Sequence, residues 1–118
     1  MCGSMNVPKT LIAASSVPLV LSVLCRGESY GYALIQQVRG LSRGEVEWTE
    51  GMLYPILHRL EREGLIEARW GEGDGERRRR YYRINSAGRA ALATAQTQWT
   101  VVDATLRRAW EATACPSA

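Results

Sequence analysis

Residues 49–84 read TEGMLYPILHRLEREGLIEARWGEGDGERRRRYYRI, and this stretch decides the fold. Its first half predicts a helix, with Thr49 suited to the N-cap and Gly64 to the position just past the C-terminal end. Apolar residues that recur at steps of three and four give this helix one apolar stripe. The stripe consists of Leu53, Ile56, Leu57 and Leu60.

The second half of the stretch predicts a β-hairpin. One strand runs from Leu65 to Trp70, where apolar and polar residues alternate, and the other runs from Arg77 to Ile84. Because two strands alone are only marginally stable, we expect the hairpin to lie as a wing against the preceding helices. The tip is predicted from its turn-forming residues, which are Gly71, Gly73, Asp74 and Gly75.

Two further helices are predicted upstream. Helical spacing favours a first helix from about Lys9 to Cys25, in which Pro18 leaves two alternatives. Either the helix kinks at Pro18, or it begins with Ser16 as the N-cap and carries Pro18 in its first turn. Ser29 is predicted to cap the second helix. The apolar positions of that helix are Tyr32, Ile35, Val38 and Leu41.

A last helix is predicted after the hairpin, with Ser86 as its N-cap. Its apolar residues alternate steps of three and four, as in the seam of a heptad repeat. Fewer than three heptads are short for a free coiled coil, so we expect this helix to pair with a second copy about a twofold axis. The residues predicted to form the dimer contact are Leu92, Trp99, Val102, Leu106 and Trp110.

Together these elements predict a mainly α (α+β) fold, a winged helix-turn-helix with a two-stranded wing and a long C-terminal helix. A chain of 118 residues can bury one hydrophobic core but not two. We expect residues 1–8 to form a flexible N-terminal tail and residues 9–85 the winged helix-turn-helix domain. Residues 86–114 then form the dimerisation helix.

Composition narrows the class of protein. The longest apolar stretch, from Val17 to Cys25, falls well short of the about 20 residues that a membrane span needs. The sole histidine, His58, has no recognisable nucleophile or paired carboxylates to work with, so we expect no enzyme, no metal and no cofactor. An odd number of cysteines without paired short spacing argues against disulfides and suits a reducing cytoplasm. These cysteines are Cys2, Cys25 and Cys115.

Positive charge is concentrated rather than large. The net charge is +3, yet five arginines lie within residues 77–83. A helix-turn-helix followed by a basic hairpin can read double-stranded DNA, with the third helix in the major groove and the wing across the backbone. A short basic run is also common in a solvated loop, and that alternative stays open.

In the DNA-binding interpretation, the start of the third helix lies nearest the base edges, and its later residues and the wing lie nearest the phosphates. Two alternatives remain: Tyr54 and Pro55 serve packing alone, and Arg59 and Arg62 pair with neighbouring glutamates. The residues predicted to contact DNA are Thr49, Glu50, Met52, Tyr54, Pro55, Arg59, Arg62, Arg77, Arg78, Arg79 and Arg80.

The same region resembles the PadR family of bacterial transcriptional regulators. The resemblance implies a winged helix-turn-helix homodimer that generally represses its promoter and releases it when an effector binds. One departure is Glu76, which stands where family members usually have a second glycine, so the wing-tip turn is expected to differ. The matching motifs are Tyr30-Gly31-Tyr32, Glu50-Gly51, Leu53-Tyr54-Pro55, Leu57, Arg59-Leu60-Glu61, Gly64-Leu65-Ile66, Trp70-Gly71, the arginines before Tyr81-Tyr82, and Ala87-Gly88.

The single helix after the wing resembles that of the short subtype of the family, whose dimers cross it with the first helix of the other subunit. The resemblance implies a central pore that binds a planar aromatic effector at Trp99, and Asp103 one turn later would favour a cation. Alternatively, Trp99 only packs in the dimer core. The facing wall of the pore would be Leu11, Ala14, Pro18 and Ser22.

A function of a different class is also open. The winged helix and the surface around Trp99 and Trp110 could hold a protein partner without any contact to DNA. The arginine run of the wing speaks against that interpretation, because it would then have no partner of opposite charge.

Overall fold

The computed structural model describes residues 7–72 and 78–113. Within them the chain is a mainly α winged helix-turn-helix with a long C-terminal helix, which confirms the predicted fold class. Most of the expected tail, the wing tip with Arg77, Cys2, Cys115 and residue 114 lie outside the described residues. The elements in chain order are α1 (Lys9–Cys25), β1 (Ser29–Tyr30), α2 (Gly31–Leu41), α3 (Glu50–Arg62), β2 (Ile66–Glu72), β3 (Arg78–Ile84) and α4 (Ser86–Thr113).

Helix α1 continues through Pro18 and begins at Lys9, so the alternative of a start at Ser16 is wrong. Pro18 has no N–H to donate to the carbonyl four residues before it, yet the helix continues because its apolar face is buried along the second half. Two serine hydroxyls donate to carbonyls one turn back, Ser16 to Ile12 at 2.6 Å and Ser22 to Pro18 at 2.6 Å. Both hydroxyls thereby satisfy their hydrogen bonds inside the helix.

One hydrophobic core joins α1 to the other elements. Each helix and both long strands contribute side chains that are almost completely removed from solvent. Because α1 supplies the largest share, it lies at the centre of the fold. The core residues are Val20, Leu21, Val23, Leu24, Leu34, Val38, Trp48, Leu53, Leu57, Leu60, Ile66, Tyr82, Ile84 and Leu92.

Helix α2 differs from its prediction at both its cap and its face. Ser29 does not cap it; Ser29 lies in β1 opposite Tyr82, and Tyr30 is the residue before the helix. The buried positions are Gly31, Leu34 and Val38, whereas Tyr32 and Leu41 are exposed. The predicted three-residue steps drift around a helix with 3.6 residues per turn, so only the central part of that stripe faces the core.

The sheet has three strands in the order β1-β3-β2, and both pairs are antiparallel. The two-residue strand β1 was missed because two residues carry no alternation. Gly71 was predicted in the tip but lies in β2 opposite Arg79. A Cβ at Gly71 would approach the Tyr81 ring to 2.6 Å, so the glycine serves a close approach between side chain and backbone rather than a turn.

Asn85, not Ser86, caps α4. The Asn85 Oδ1 accepts a hydrogen bond from the Gly88 N–H at 2.9 Å, and its Nδ2 donates to the Gly64 carbonyl at 2.8 Å. The cap therefore ties the start of α4 to the end of α3. Only Gly88 and Leu92 of the described α4 are buried, so most of this 28-residue helix projects from the core.

Replacing Gly88 by alanine is expected to lower the free energy of unfolding by about 1–3 kcal/mol, because the new Cβ has no room. It would collide with the Leu65 carbonyl oxygen and lie 2.6 Å from Ile84 Cγ1. Urea unfolding followed by circular dichroism at one protein concentration measures the loss.

Gly40→Ala is the matched control, since a Cβ at Gly40 meets nothing within 4 Å. This variant is expected to be as stable as the parent or more stable by about 0.5–1 kcal/mol, because alanine is the better helix former. Equal midpoints for the two variants would contradict the proposed packing at Gly88.

Candidate nucleic-acid interface

Helix α3 begins with a side-chain cap. Thr49 is in extended conformation, and its Oγ1 accepts a hydrogen bond from the Met52 N–H at 3.2 Å. Glu50 in the first turn places a negative charge at the positive end of the helix dipole. The structure thus confirms the predicted cap, and it fixes where the helix starts relative to the core.

Because Leu53, Leu57 and Leu60 are buried, α3 turns its opposite side to solvent. Met52 is half-buried and lines a cavity of about 760 Å³ beside Lys9 and Ile12 of α1, so it faces α1 rather than open solvent. The exposed residues of α3 are Glu50, Gly51, Pro55, His58, Arg59, Arg62 and Glu63's neighbours along the same side.

Two of the residues predicted to touch DNA have partners inside the protein. Arg59 pairs with Glu63 at 3.2 Å, and both side chains stay about half exposed, so this pair contributes little stability and can open. Tyr54 is half-buried beside Gly31: a Cβ at Gly31 would lie 2.7 Å from the Tyr54 hydroxyl oxygen. Gly31 therefore makes room for Tyr54 between α2 and α3.

The pleat of β3 divides the wing arginines between two faces. Arg78 and Arg80 share the face of the buried Tyr82 and Ile84, whereas Arg79 lies on the opposite face. The sequence prediction treated these arginines as one group, but alternation along a strand makes them inequivalent. Arg77 lies outside the described residues.

Aromatic rings lie beneath the arginines. The guanidinium carbons of Arg78 and Arg80 lie 5.7 and 5.3 Å from the Trp70 ring centroid, and that of Arg79 lies 4.3 Å from the Tyr30 ring. Contacts of this length are cation–π interactions. They hold flat, charged groups against the wing and reduce the freedom of their side chains.

The outer face of the sheet carries two ion pairs. Arg69 donates to Glu28 from Nε at 2.9 Å and from Nη2 at 2.6 Å, and Arg83 donates to Glu67 from Nη2 at 2.7 Å. These hydrogen bonds are the main reason that the pKa of Glu28 and the pKa of Glu67 lie below their ordinary value. The pairs compensate positive charge on this face and leave the α3 side of the wing the more cationic one.

A cleft of about 460 Å³ lies between the start of α2, the exposed side of α3 and the wing. Its walls combine hydroxyl, imidazole and guanidinium groups with aromatic surface, a chemistry that suits a phosphate backbone. At its floor, burial is the main cause that raises the pKa of Tyr82, so this phenol stays neutral. The lining residues are Tyr30, Gly31, Tyr32, Tyr54, His58, Trp70, Arg78, Arg79, Arg80 and Tyr82.

Four residues of this cleft were absent from the predicted site: Tyr30, Tyr32, His58 and Trp70. His58 could have been found, since it lies one turn after Tyr54 on the same side of α3, and the two rings are 6.5 Å apart. The other three could not, because the cleft depends on how β1 and the wing pack together.

The residues predicted for an effector are only partly brought together. Pro18, Ser22 and Trp99 line a cavity of about 220 Å³ between α1 and α4. Leu11 and Ala14 are exposed and lie outside it, and Asp103 pairs with Arg107 at 3.0 Å on the surface of α4. The other lining residues are Ser15, Leu19, Leu92, Ala95 and Gln96.

The predicted dimer residues also divide into two groups. Leu92 is buried within the core of its own chain. Trp99, Val102, Leu106 and Trp110 are 39%, 49%, 44% and 63% exposed, which leaves an apolar face along the outer part of α4. Within residues 7–72 and 78–113, no three His, Cys, Asp or Glu side chains cluster as a metal site, and no helix is long and apolar enough to cross a membrane.

Comparison with known proteins places residues 20–94 in the Transcriptional regulator PadR-like family. A transcriptional regulator of Mycobacterium tuberculosis is 48% identical over 65 residues, which are 55% of this chain and 57% of that protein. Two solved structures are similar over most of their length. A transcriptional regulator from Clostridium thermocellum has 28% identity and a TM-score of 0.79 over 86% of this chain and 96% of its own. A PadR family transcriptional regulator from Eggerthella lenta has 34% identity and a TM-score of 0.74 over 86% and 87%.

Thr49→Ala is expected to lower the free energy of unfolding by about 1 kcal/mol, because the Met52 N–H loses its acceptor. Thr49→Ser keeps a hydroxyl at the same position and should retain most of the stability. Urea unfolding of the three proteins at equal concentration makes the comparison. An alanine variant as stable as the threonine parent would show that the cap does not stabilise α3.

Proposed function

This chain belongs to the PadR-like family of transcriptional regulators, and on that premise we propose that it is a repressor that binds an inverted-repeat DNA operator as a homodimer. The observation that carries the proposal is the cleft in which the exposed side of α3 meets the arginine face of the wing. A helix and a basic hairpin held side by side match the spacing between a major groove and the phosphates next to it.

In the proposed complex, α3 enters the major groove with its N-terminal end foremost. Glu50 and Pro55 are exposed near that end, and Arg59 and Arg62 follow along the same side. The wing arginines, Arg77 among them, extend along the backbone towards the minor groove. Thr49 and Met52 have structural partners, so direct contact with bases is proposed foremost for the residues whose side chains face solvent.

The homodimer is proposed from the surface of α4. The described part of this helix after Leu92 contains no buried residue, yet it carries two tryptophans and further apolar side chains. An isolated helical segment with such a face is marginal in water, and pairing with a second copy would cover it. Two copies related by a twofold axis would present two α3 helices to successive major grooves about one helical turn apart.

A planar aromatic effector is proposed for the cavity between α1 and α4. Trp99 is 39% exposed and forms one wall, and Pro18 and Ser22 form the facing wall. In a dimer, the corresponding cavity of the second copy would extend this space across the axis. Stacking on an indole ring favours flat ligands, and a cationic ring system favours it further.

Specific DNA binding is expected to be strongly salt-dependent. A 40-bp duplex enriched from a random-sequence pool by the protein should bind two chains. If about 6–10 phosphates are contacted, its affinity should fall about a thousandfold or more between 50 and 200 mM salt. Fluorescence anisotropy of the labelled duplex measures the affinity, and sedimentation measures the stoichiometry.

Arg107→Gln serves as the control, because Arg107 is exposed on α4 and pairs with Asp103 away from the cleft. Its affinity and salt dependence should match those of the parent protein. Failure to enrich any duplex, or an affinity that salt leaves unchanged, would contradict the proposed function.

Proflavine, a planar cation, is expected to bind the free protein and to lose its binding in Trp99→Ala, because the stacking surface is removed. Proflavine anisotropy reports the binding without interference from the protein's own emission. Trp70→Ala is the control, since Trp70 lies on the wing and outside the α1–α4 cavity. Equal binding by both variants would place the ligand elsewhere.

A further inference from the structure

Arg80 differs from the arginines beside it in what it touches. Its Nη2 donates to Glu61 Oε2 of α3 at 3.0 Å, and the two side chains are 32% and 34% exposed. In the Arg59–Glu63 pair, by contrast, the side chains keep 56% and 47% of their exposure. The Arg80–Glu61 pair is thus more shielded from water and salt, and it joins two elements rather than two turns of one helix.

A second contact fixes the same guanidinium. Trp70 stands opposite Arg80 in the β2–β3 register, and the guanidinium carbon of Arg80 lies 5.3 Å from the Trp70 ring centroid. Arg80 therefore lies between a carboxylate on α3 and an indole on the wing. Two partners from different elements restrict the side chain far more than either partner would alone.

This geometry has an electrostatic consequence. The Glu61 carboxylate compensates the charge of Arg80, so the pair as a whole attracts a phosphate weakly. To bind a phosphate, Arg80 would have to leave Glu61 or carry that carboxylate towards another anion, and both cost free energy. Arg78 is exposed on the same face of the wing, nearer the tip, and it shares the Trp70 ring at 5.7 Å.

We propose that Arg80 is a positioning residue that fastens the wing to the recognition helix through Glu61, and that Glu61 keeps its charge from the DNA backbone. The proposal rests on the proposed DNA-binding function. It changes the role predicted for Arg80 from a phosphate contact to an internal strut. It also adds Glu61 to the residues that control DNA affinity.

The salt dependence of binding separates the two roles. Each phosphate contact contributes about 0.9 to the slope of the logarithm of affinity against the logarithm of salt concentration. In Glu61→Gln/Arg80→Gln both charges disappear together, so the slope should equal that of the parent protein. The affinity itself should fall by about tenfold, because the wing is no longer held against α3.

Two single variants complete the experiment on the enriched 40-bp duplex. Arg78→Gln should reduce the slope by about 0.9, as expected for a lost phosphate contact. Glu61→Gln removes the compensating charge and frees Arg80, so its slope should become steeper by up to about 0.9. A role in folding alone would not produce a steeper slope. Circular dichroism confirms that each variant is folded, and Glu61→Gln alters only an amide for an oxygen at a partly exposed position.

A slope that falls in the double variant as much as in Arg78→Gln would show that Arg80 contacts a phosphate and would overturn the proposal. So would a double variant with unchanged affinity, because the wing would then need no strut. Both results leave the proposed function standing, since the parent protein still binds the duplex. A parent protein that enriches no duplex would overturn the proposed function and this inference together.

Discussion

The apolar stripe of α3 packs against the base of the wing, and the rest of the structure depends on this contact. Leu57 and Leu60 of α3 share one core with Ile66, Tyr82 and Ile84 of the sheet. The strands continue outward from this anchored base, so their charged ends remain beside the exposed side of α3. Ion pairing across the gap adds a second point of attachment, and a hairpin that would be marginal alone becomes part of the domain.

Features that depend on one element's own period could be predicted from the sequence. The α3 stripe, the Thr49 cap and Gly64, whose φ is +77°, follow from spacing and local conformation, and the structure has all three. Serine caps were less certain, because several neighbouring residues can accept the same hydrogen bond. At α4 the adjacent Asn85 does so instead of Ser86, since its amide also reaches the Gly64 carbonyl.

The candidate site was predictable only as a list of basic and aromatic residues. Their inequivalence depends on contacts between elements: Arg80 and Glu61 are 19 residues apart and meet only once the wing has its register on α3. Likewise, Asp103 lies one turn after Trp99, as predicted, yet it pairs with Arg107 instead of facing the cavity that Trp99 lines. Spacing places residues on a face, but competition among charged neighbours decides what each one contacts.

The central claim is that α3 and the wing form one continuous surface on the same DNA duplex. Hydroxyl-radical footprints of the parent protein and of Arg78→Gln on one bound duplex test it most directly. The account predicts two protected blocks about one helical turn apart, whose outer edges weaken in the variant while the centres persist. A single block, or footprints whose edges are the same in both proteins, would contradict it.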